Sequence, residues 1–163
     1  MMKKIIIFKN DRTGDLITSL PAINYIIKKN KDKEILIYLS EINFRMKFLF
    51  DYNNVTIKKI NYKLTFINRI LIFLKFVTSK ISEVYILRPK NFFFLLPIIF
   101  YFKSIKFYGF CLNGSNNYKR PIGILRKFLT YYVINDRGTR NKRTSRTKLH
   151  LKLAGLDQAD KYN

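Results

Sequence analysis

The sequence predicts an α/β fold, a Rossmann-like three-layer sandwich with a mainly parallel sheet. Short β-branched runs alternate with longer segments of helical period, which is the pattern of strand, helix and strand units. The first run, Lys4–Phe8, contains Ile-Ile-Ile-Phe without alternation, as expected of a strand covered on both faces. With 48% hydrophobic residues and only 4 Pro and 6 Gly among 163 residues, the chain can bury the core of one domain.

Five strands and six helices are predicted in order along the chain. The strands are Lys4–Phe8, Glu34–Leu39, Val55–Ile60, Val84–Leu87 and Lys106–Phe110. The helices between them cover 16–29, 42–51, 63–79 and 91–102. After the last strand, 121–133 is predicted as a helix with Pro121 in its first turn, and Thr147–Ala154 as a helix closed by Gly155.

Two of these helices have apolar patterns that predict what they bury. Leu64, Ile67, Leu71 and Leu74 recur at three- and four-residue spacing, which is typical of one buried helix face. The segment 92–102 is apolar all round. This pattern favours burial in the core, with partial insertion into a membrane interface as the alternative.

The charge balance predicts an anionic partner. The chain has 32 Lys+Arg against 10 Asp+Glu, a net charge of +22. A+T-rich codons would account for part of the lysine content, but the scarcity of acids leaves the cations uncompensated, which points to phosphate groups, nucleic acid or an anionic membrane surface. The densest cation cluster is interpreted either as a solvated loop or as a patch for an anionic acceptor; it contains Arg137, Arg140, Lys142, Arg143, Arg146 and Lys148.

Several classes of protein and site are not supported by the sequence. A single cysteine, Cys111, cannot form an internal disulfide, so a reducing compartment such as the cytoplasm is expected. The apolar start is too short for an export signal, and 92–102 is shorter than the about 20 residues that cross a bilayer. The lone His150 has no second ligand at metal-binding spacing, and no nucleotide-binding or hydrolase motif is found, so neither a metal nor a cofactor is predicted.

The loop after the first strand carries the candidate chemistry, because ligands of such sheets bind beyond the carboxyl ends of the strands. It reads Lys9-Asn10-Asp11-Arg12-Thr13-Gly14-Asp15. Gly14 is interpreted as the residue that allows a tight turn with exposed backbone. Asp15 is either a helix N-cap or a general base that takes a proton from an acceptor hydroxyl, with Arg12 holding an anion.

This loop and the following helix resemble the N-terminal signature of the family 9 glycosyltransferases, the lipopolysaccharide heptosyltransferases. The residues that match in register are Asp11, Arg12, Gly14, Asp15, Pro21 and Ala22, whereas Thr13 replaces the usual aliphatic residue before the glycine. Glu83–Arg88 and Lys106–Phe110 resemble later strands of the family. His150–Leu156 resembles the helix that closes its N-terminal domain.

The resemblance implies the N-terminal half of a GT-B enzyme, with 1–156 as a Rossmann-like acceptor-binding domain and 157–163 as a C-terminal tail. Asp15 would be the catalytic base of an inverting, metal-free transfer of a heptose-like sugar. The candidate acceptor contacts are Arg12, Thr13, Gly14, Arg143 and Arg146.

The resemblance also implies the substrates and the location. The acceptor would be an anionic lipid-linked saccharide at the inner face of the inner membrane, where the enzyme would be peripheral. The nucleotide-sugar would bind to a C-terminal domain that these 163 residues do not include, so the chain alone is expected to be inactive.

Two other functions remain open. The chain could be a basic nucleic-acid-binding α/β module or a non-catalytic remnant that keeps the fold. The Asp11-Arg12-x-Gly-Asp15 loop disfavours nucleic acid as the partner, because a nucleic-acid binder has no reason to place this loop after its first strand. A nucleic-acid affinity that falls steeply with salt would favour the nucleic-acid-binding module.

Overall fold

The structure is a computed structural model that describes residues 3–113, 119–120, 123–136 and 145–156. Within these ranges the chain forms one sheet with helices on both faces. The strands are β1 (Lys4–Lys9), β2 (Glu34–Ser40), β3 (Val55–Ile60), β4 (Ile81–Ile86), β5 (Lys106–Asn113), β6 (Lys119–Arg120) and β7 (Tyr131–Asp136). The α-helices are α1 (Thr13–Lys29), α2 (Phe66–Thr78), α3 (Asn91–Ile99) and α4 (Arg146–Leu153). Three 3₁₀-helices cover Asn43–Phe50, Tyr101–Lys103 and Gly123–Phe128.

The sheet is mainly parallel, which confirms the predicted fold class. Strands β1 to β5 run parallel in the order β3-β2-β1-β4-β5. Strand β7 pairs parallel with β5, and the short β6 pairs antiparallel with the last two residues of β5. The chain therefore moves from β1 to β2 and β3 on one side, then crosses to β4 on the other. This crossing makes a topological switch point between the carboxyl ends of β1 and β4.

Two apolar cores cover the two faces of β1. On one face the Phe8 ring stacks on Phe93 at a centroid distance of 4.2 Å and on Tyr38 at 5.2 Å, beneath α2 and α3. On the other face Ile5 and Ile7 pack in a cluster with apolar side chains of α1 and α4. Because both faces are buried, β1 is apolar at successive positions, as its sequence predicts.

The segment before and within β7 differs from the sequence prediction. The helix predicted over 121–133 is wrong, because residues 123–128 form a 3₁₀-helix and β7 begins at Tyr131. The Thr130 amide donates to the Phe107 carbonyl at 2.9 Å, and the Phe107 amide donates to Thr130 Oγ1 at 3.0 Å. These bonds start a parallel pairing with β5, and the Tyr-Tyr-Val-Ile run suits an extended strand.

The predicted buried face is correct at Leu64, which is buried just before α2 begins, and wrong within α2 itself. Ile72 and Phe76 lie in the core, whereas Ile67, Leu71 and Leu74 are exposed. The helix is apolar on nearly every side, so spacing alone does not decide which side packs. The segment 92–102 is likewise buried on one side only, with Leu95, Ile98, Ile99, Tyr101 and Phe102 exposed.

The remaining helices follow the predictions with local changes. Residues 42–51 were predicted as an α-helix, but Asn43–Phe50 is a 3₁₀-helix with a non-helical backbone at Met46. Of the described helices, none combines the length and the apolar character that a bilayer crossing needs.

Candidate active site

A cavity of about 150 Å³ lies at the switch point between β1 and β4. This is where ligands bind in open α/β sheets. Its wall is formed by the end of β1, the first turn of α1, the segment after β4, the end of β5 and α4. The lining residues are Lys9, Asp11, Asp15, Tyr62, Leu87, Arg88, Pro89, Phe110, Leu112, Arg146 and His150.

Asp15 lies in the first turn of α1 and faces Arg146 on α4. The N-cap residue of α1 is Arg12, so the Asp15 carboxylate does not cap the helix, although its negative charge is favoured at this end of the helix dipole. Asp15 Oδ1 accepts a hydrogen bond from Arg146 Nη1 at 2.5 Å. The Asp15 side chain is 37% exposed. A substrate hydroxyl can therefore reach it from the cavity mouth.

Beneath Asp15 lies a buried ion pair. Lys9 Nζ is 2.9 Å from Asp11 Oδ2, and both residues are buried. Burial raises the pKa of Asp11 and lowers that of Lys9, and the attraction between the two charges opposes both shifts. The Asp11 carbonyl accepts bonds from Ser40 Oγ and Asn43 Nδ2, each at 2.8 Å, which fix the loop. The ion pair therefore makes the floor of the cavity polar, and the two bonds to the Asp11 carbonyl hold the loop in place.

Arg88 adds a second guanidinium from the β4 side. Arg88 lies two residues after the end of β4. Its Cζ atom is 4.0 Å from the centroid of the Tyr62 ring, in the range of a cation–π contact. Burial lowers its pKa, but a guanidinium stays protonated in the neutral range. Its Nη1 atom is buried and has no hydrogen-bond partner among the described residues. Arg88 lines the cavity, and a guanidinium in this position suits a carboxylate or phosphate of a ligand.

His150 forms part of the inner wall as a neutral ring. It is buried against Phe110 with the ring centroids 4.3 Å apart. Among the residues that the structure describes, neither ring nitrogen has a hydrogen-bond partner of normal geometry, although the backbones of Thr18 and Leu87 lie close enough to favour the protonated form. Burial outweighs this effect and lowers the pKa of His150 to about 3. The ring is therefore uncharged in the neutral range.

The buried His150 predicts a loss of stability in acid. Between pH 6.5, the ordinary pKa of histidine, and about 3, the unfolded chain binds a proton that the folded chain does not. The free energy of unfolding should therefore fall as the pH drops through this range. Relative to a His150→Phe variant, we expect the wild type to lose about 2 kcal/mol between pH 7 and pH 5.

Urea unfolding of both proteins at several pH values measures this difference. The chain has a single histidine, so no other imidazole contributes. Carboxylates titrate in both proteins and cancel in the comparison. Parallel stability curves for the two proteins would contradict the assignment.

The structure brings together some of the site residues predicted from sequence and not others. Arg146 meets Asp15 although the two are 131 positions apart. Arg12 is exposed and Thr13 is half-buried, and neither lines the cavity. Gly14 lies in the helical first turn rather than in a tight turn, and a Cβ there would meet nothing within 4 Å. Its exposed backbone stays open to a ligand.

Part of the predicted cation cluster cannot be placed. Arg143 lies outside the described residues, as does the predicted tail 157–163, and so do Arg137, Arg140 and Lys142. Of the six cations, the structure describes Arg146 and Lys148.

Sequence reasoning did not select Lys9, Asp11, Tyr62, Arg88 and His150 as site residues. The signal for Arg88 is its position after the strand that lies next to β1 across the switch point. That signal requires the strand order, which the sequence alone does not supply. Tyr62 comes from the segment before α2 and has no sequence signal of this kind.

A larger cavity, of about 550 Å³, lies at the amino ends of the strands. Its carboxylate, Glu83, already bonds Lys33 at 2.8 Å and the Tyr85 hydroxyl at 2.9 Å. Both oxygens of this carboxylate are therefore already bonded. Within the described ranges, no three His, Cys, Asp or Glu side chains cluster as a metal site would require.

Comparison with known proteins shows similarity in structure only. No protein-family model and no curated protein matches the sequence. The crystal structure of a glycosyl transferase family 9 protein from Veillonella parvula DSM 2008 matches 94% of this chain with a TM-score of 0.57 and 18% identity. The E. coli heptosyltransferase WaaC with ADP matches 93% with a TM-score of 0.55 and 9% identity.

The chain corresponds to part of each of these proteins, 40% of the first and 46% of the second. The chain therefore has the α/β fold found in the GT-B glycosyltransferases of family 9, over slightly less than half of their length.

Proposed function

We propose that this chain is the acceptor-binding half of a family 9-type glycosyltransferase. It would act in the cytoplasm at the inner membrane face, on an anionic, lipid-linked saccharide of the lipopolysaccharide type. The observation that carries the proposal is the position of Asp15, a reachable carboxylate at the switch point, in the loop that resembles the family signature. Three cations, Lys9, Arg88 and Arg146, line the same cavity.

In the proposed reaction Asp15 acts as the general base. It takes the proton from an acceptor hydroxyl as the acceptor oxygen bonds to the anomeric carbon of a heptose-like sugar. The bond from that carbon to the diphosphate breaks on the opposite face, and its electron pair leaves with the nucleoside diphosphate. One displacement of this kind inverts the anomeric centre and needs neither a metal nor a bound cofactor.

Arg146 and Arg88 would prepare the site for this step. Arg146 orients the Asp15 carboxylate through its 2.5 Å bond. Arg88 lines the same cavity and would bind a phosphate or carboxylate of the acceptor, and guanidinium groups suit both because of their planar geometry. The open backbone at Gly14 allows the acceptor to approach the first turn of α1 closely.

The donor would be a nucleotide-sugar bound by the part of a family 9 protein that this chain does not correspond to. The proposal then predicts that the 163-residue chain binds the acceptor but transfers no sugar by itself. Calorimetry with a delipidated, phosphorylated core oligosaccharide measures the first property. A transfer assay with nucleotide-heptose, with and without a donor-binding half, measures the second.

A Gly14→Ala variant sharpens this test. The new methyl group meets open space in the protein, so the fold should be as stable as before or slightly more stable. It should weaken oligosaccharide binding, because it would occupy the approach to the helix backbone. Sugar transfer by the chain alone would contradict the predicted inactivity. If the chain binds single-stranded DNA tightly, with an affinity that falls steeply with salt, and does not bind the oligosaccharide, the proposal is refuted in favour of a nucleic-acid-binding module.

A further inference from the structure

Helix α2 has an apolar side that faces solvent. We name this side, together with two neighbouring aromatic residues, the outer α2 surface; it consists of Phe66, Ile67, Ile70, Leu71, Phe73, Leu74, Val77, Tyr101 and Phe102, all exposed. Ile67, Leu71 and Leu74 are 67%, 57% and 49% exposed, and Phe102 is 94% exposed. Single exposed apolar residues are ordinary on protein surfaces, whereas contiguous groups of them mark interaction sites.

The arrangement around the helix axis is ordered. At 3.6 residues per turn, the exposed apolar residues of α2 fall on the side opposite the buried Ile72 and Phe76. Arg69 and Lys75 project between these two sides, one on each flank of the helix. The helix thus packs on the sheet through one narrow stripe and presents a broad apolar face bordered by cations.

The 3₁₀-helix at Tyr101–Lys103 extends this face. Lys103 Nζ donates to the carbonyls of Phe76 and Val77 at 2.8 and 2.9 Å, which attaches the 3₁₀-helix to the last turn of α2. The Phe73 and Phe100 rings lie 5.3 Å apart and join the two segments. Tyr101 and Phe102 therefore lie beside the end of α2.

The charges of the chain segment that carries this surface favour one kind of partner. Residues 52–82 contain no Asp or Glu and six cations, namely Lys58, Lys59, Lys63, Arg69, Lys75 and Lys80. Lys103 adds another at the end of α2. A second copy of this chain, with a net charge of +22, would bring the same cations to the interface and be repelled. A surface that is both apolar and anionic complements this side, and an anionic lipid bilayer has these properties.

We propose that the outer α2 surface inserts into the interface of an anionic lipid bilayer, with α2 lying parallel to the membrane. The apolar side chains enter the region between headgroups and acyl chains, while Arg69 and Lys75 on the flanks of α2 bind lipid phosphates. This docking surface is separate from the cavity, and its test does not depend on transferase activity.

The same docking would also position the candidate active site. Tyr62, which lines the cavity, lies in the segment that leads into α2. The Asn61 carbonyl accepts a bond from Asn10 Nδ2 at 3.4 Å, and the Tyr62 carbonyl accepts one from Lys90. The start of α2 is thereby connected to the β1 loop and to the segment after β4. A membrane-bound α2 would hold the cavity near the lipid surface.

Vesicle binding of the 163-residue chain tests the proposal. The chain should sediment with phosphatidylglycerol-containing vesicles and much less with pure phosphatidylcholine vesicles. The variant I67Q/L71Q/L74Q changes only exposed positions and should bind at least about tenfold more weakly, because three apolar groups no longer leave water. The control variant I42Q/F48Q/I124Q replaces three exposed apolar residues outside the surface and should bind as the parent does.

Insertion can be separated from simple electrostatic adsorption with tryptophan probes, since the chain contains no tryptophan. In a Leu71→Trp variant the emission should shift to the blue on anionic vesicles and be quenched by brominated acyl chains. In an Ile124→Trp variant it should not change. Equal vesicle binding by the parent and I67Q/L71Q/L74Q, or an unshifted emission of Leu71→Trp, would overturn the proposal. A lipid-independent dimer that I67Q/L71Q/L74Q abolishes would overturn it in favour of self-association.

Discussion

Replacing Asp15 by Asn in a two-domain enzyme that contains this chain is expected to lower kcat by about 10²- to 10⁴-fold, the usual contribution of a positioned general base. The amide has the shape of the carboxylate and can still accept a hydrogen bond from Arg146, but it cannot take a proton. Folding should be little affected, because the Asp15–Arg146 pair is partly exposed and such pairs contribute about 0–1 kcal/mol. Steady-state kinetics and urea unfolding of the same preparation measure the two effects.

Arg146→Gln is the matched control for this experiment. It removes the partner of Asp15 but keeps the base, so we expect a higher KM for the anionic acceptor and a smaller loss of kcat than in Asp15→Asn. Turnover that is unchanged in Asp15→Asn would refute general base catalysis at this residue.

Replacing Lys9 by Met is expected to destabilise the fold by about 3–5 kcal/mol, the usual cost of removing one partner from a buried ion pair. The Lys9 ammonium is 2.9 Å from Asp11, and without it the Asp11 carboxylate would be left buried and uncompensated. The double variant K9M/D11L should recover most of the loss, because a pair of apolar side chains has no charge to desolvate. Urea unfolding of the wild type, the two single variants and the double variant gives the coupling energy.

The pH dependence of Lys9→Met provides a second readout. Burial already raises the pKa of Asp11, and loss of the neighbouring cation raises it further above the unfolded value of 3.8. A carboxyl group whose pKa is higher in the folded state destabilises the protein above its unfolded pKa, and this loss diminishes as the pH falls. Lys9→Met should therefore lose less stability, relative to wild type, at pH 5 than at pH 7. An equal loss at both values, or a double variant as unstable as the single one, would show that Lys9 acts by packing alone.

The proposed membrane docking and the proposed acceptor binding would act together. The proposed acceptor is attached to a lipid, and the outer α2 surface lies next to the segment that carries Tyr62 of the cavity wall. Binding to the bilayer would confine the cavity to the layer in which the acceptor is concentrated. Variants of the surface should then weaken activity on vesicle-bound acceptor without weakening binding of the soluble oligosaccharide.

The sequence by itself determined the fold class and the location of the candidate chemistry. The uninterrupted Ile-Ile-Ile-Phe run marked a strand buried on both faces, and such strands lie in parallel sheets with helices on either side. The Gly14-Asp15 pair after this strand marked the sheet edge at which ligands bind. These features lie in short stretches of the chain, so the local pattern of residues encodes them.

Only the tertiary structure decided which side of α2 is buried and that Tyr131–Asp136 is a strand. It also brought two arginines and two aspartates together at one cavity: Arg88, Arg146, Asp11 and Asp15. An apolar helix has no unique inner side until its neighbours are placed, and a short aromatic run becomes a strand only where the open edge of β5 supplies hydrogen bonds. The contact between Asp15 and Arg146 spans 131 positions. Such contacts depend on strand order, which the hydrophobic pattern of a single segment does not contain.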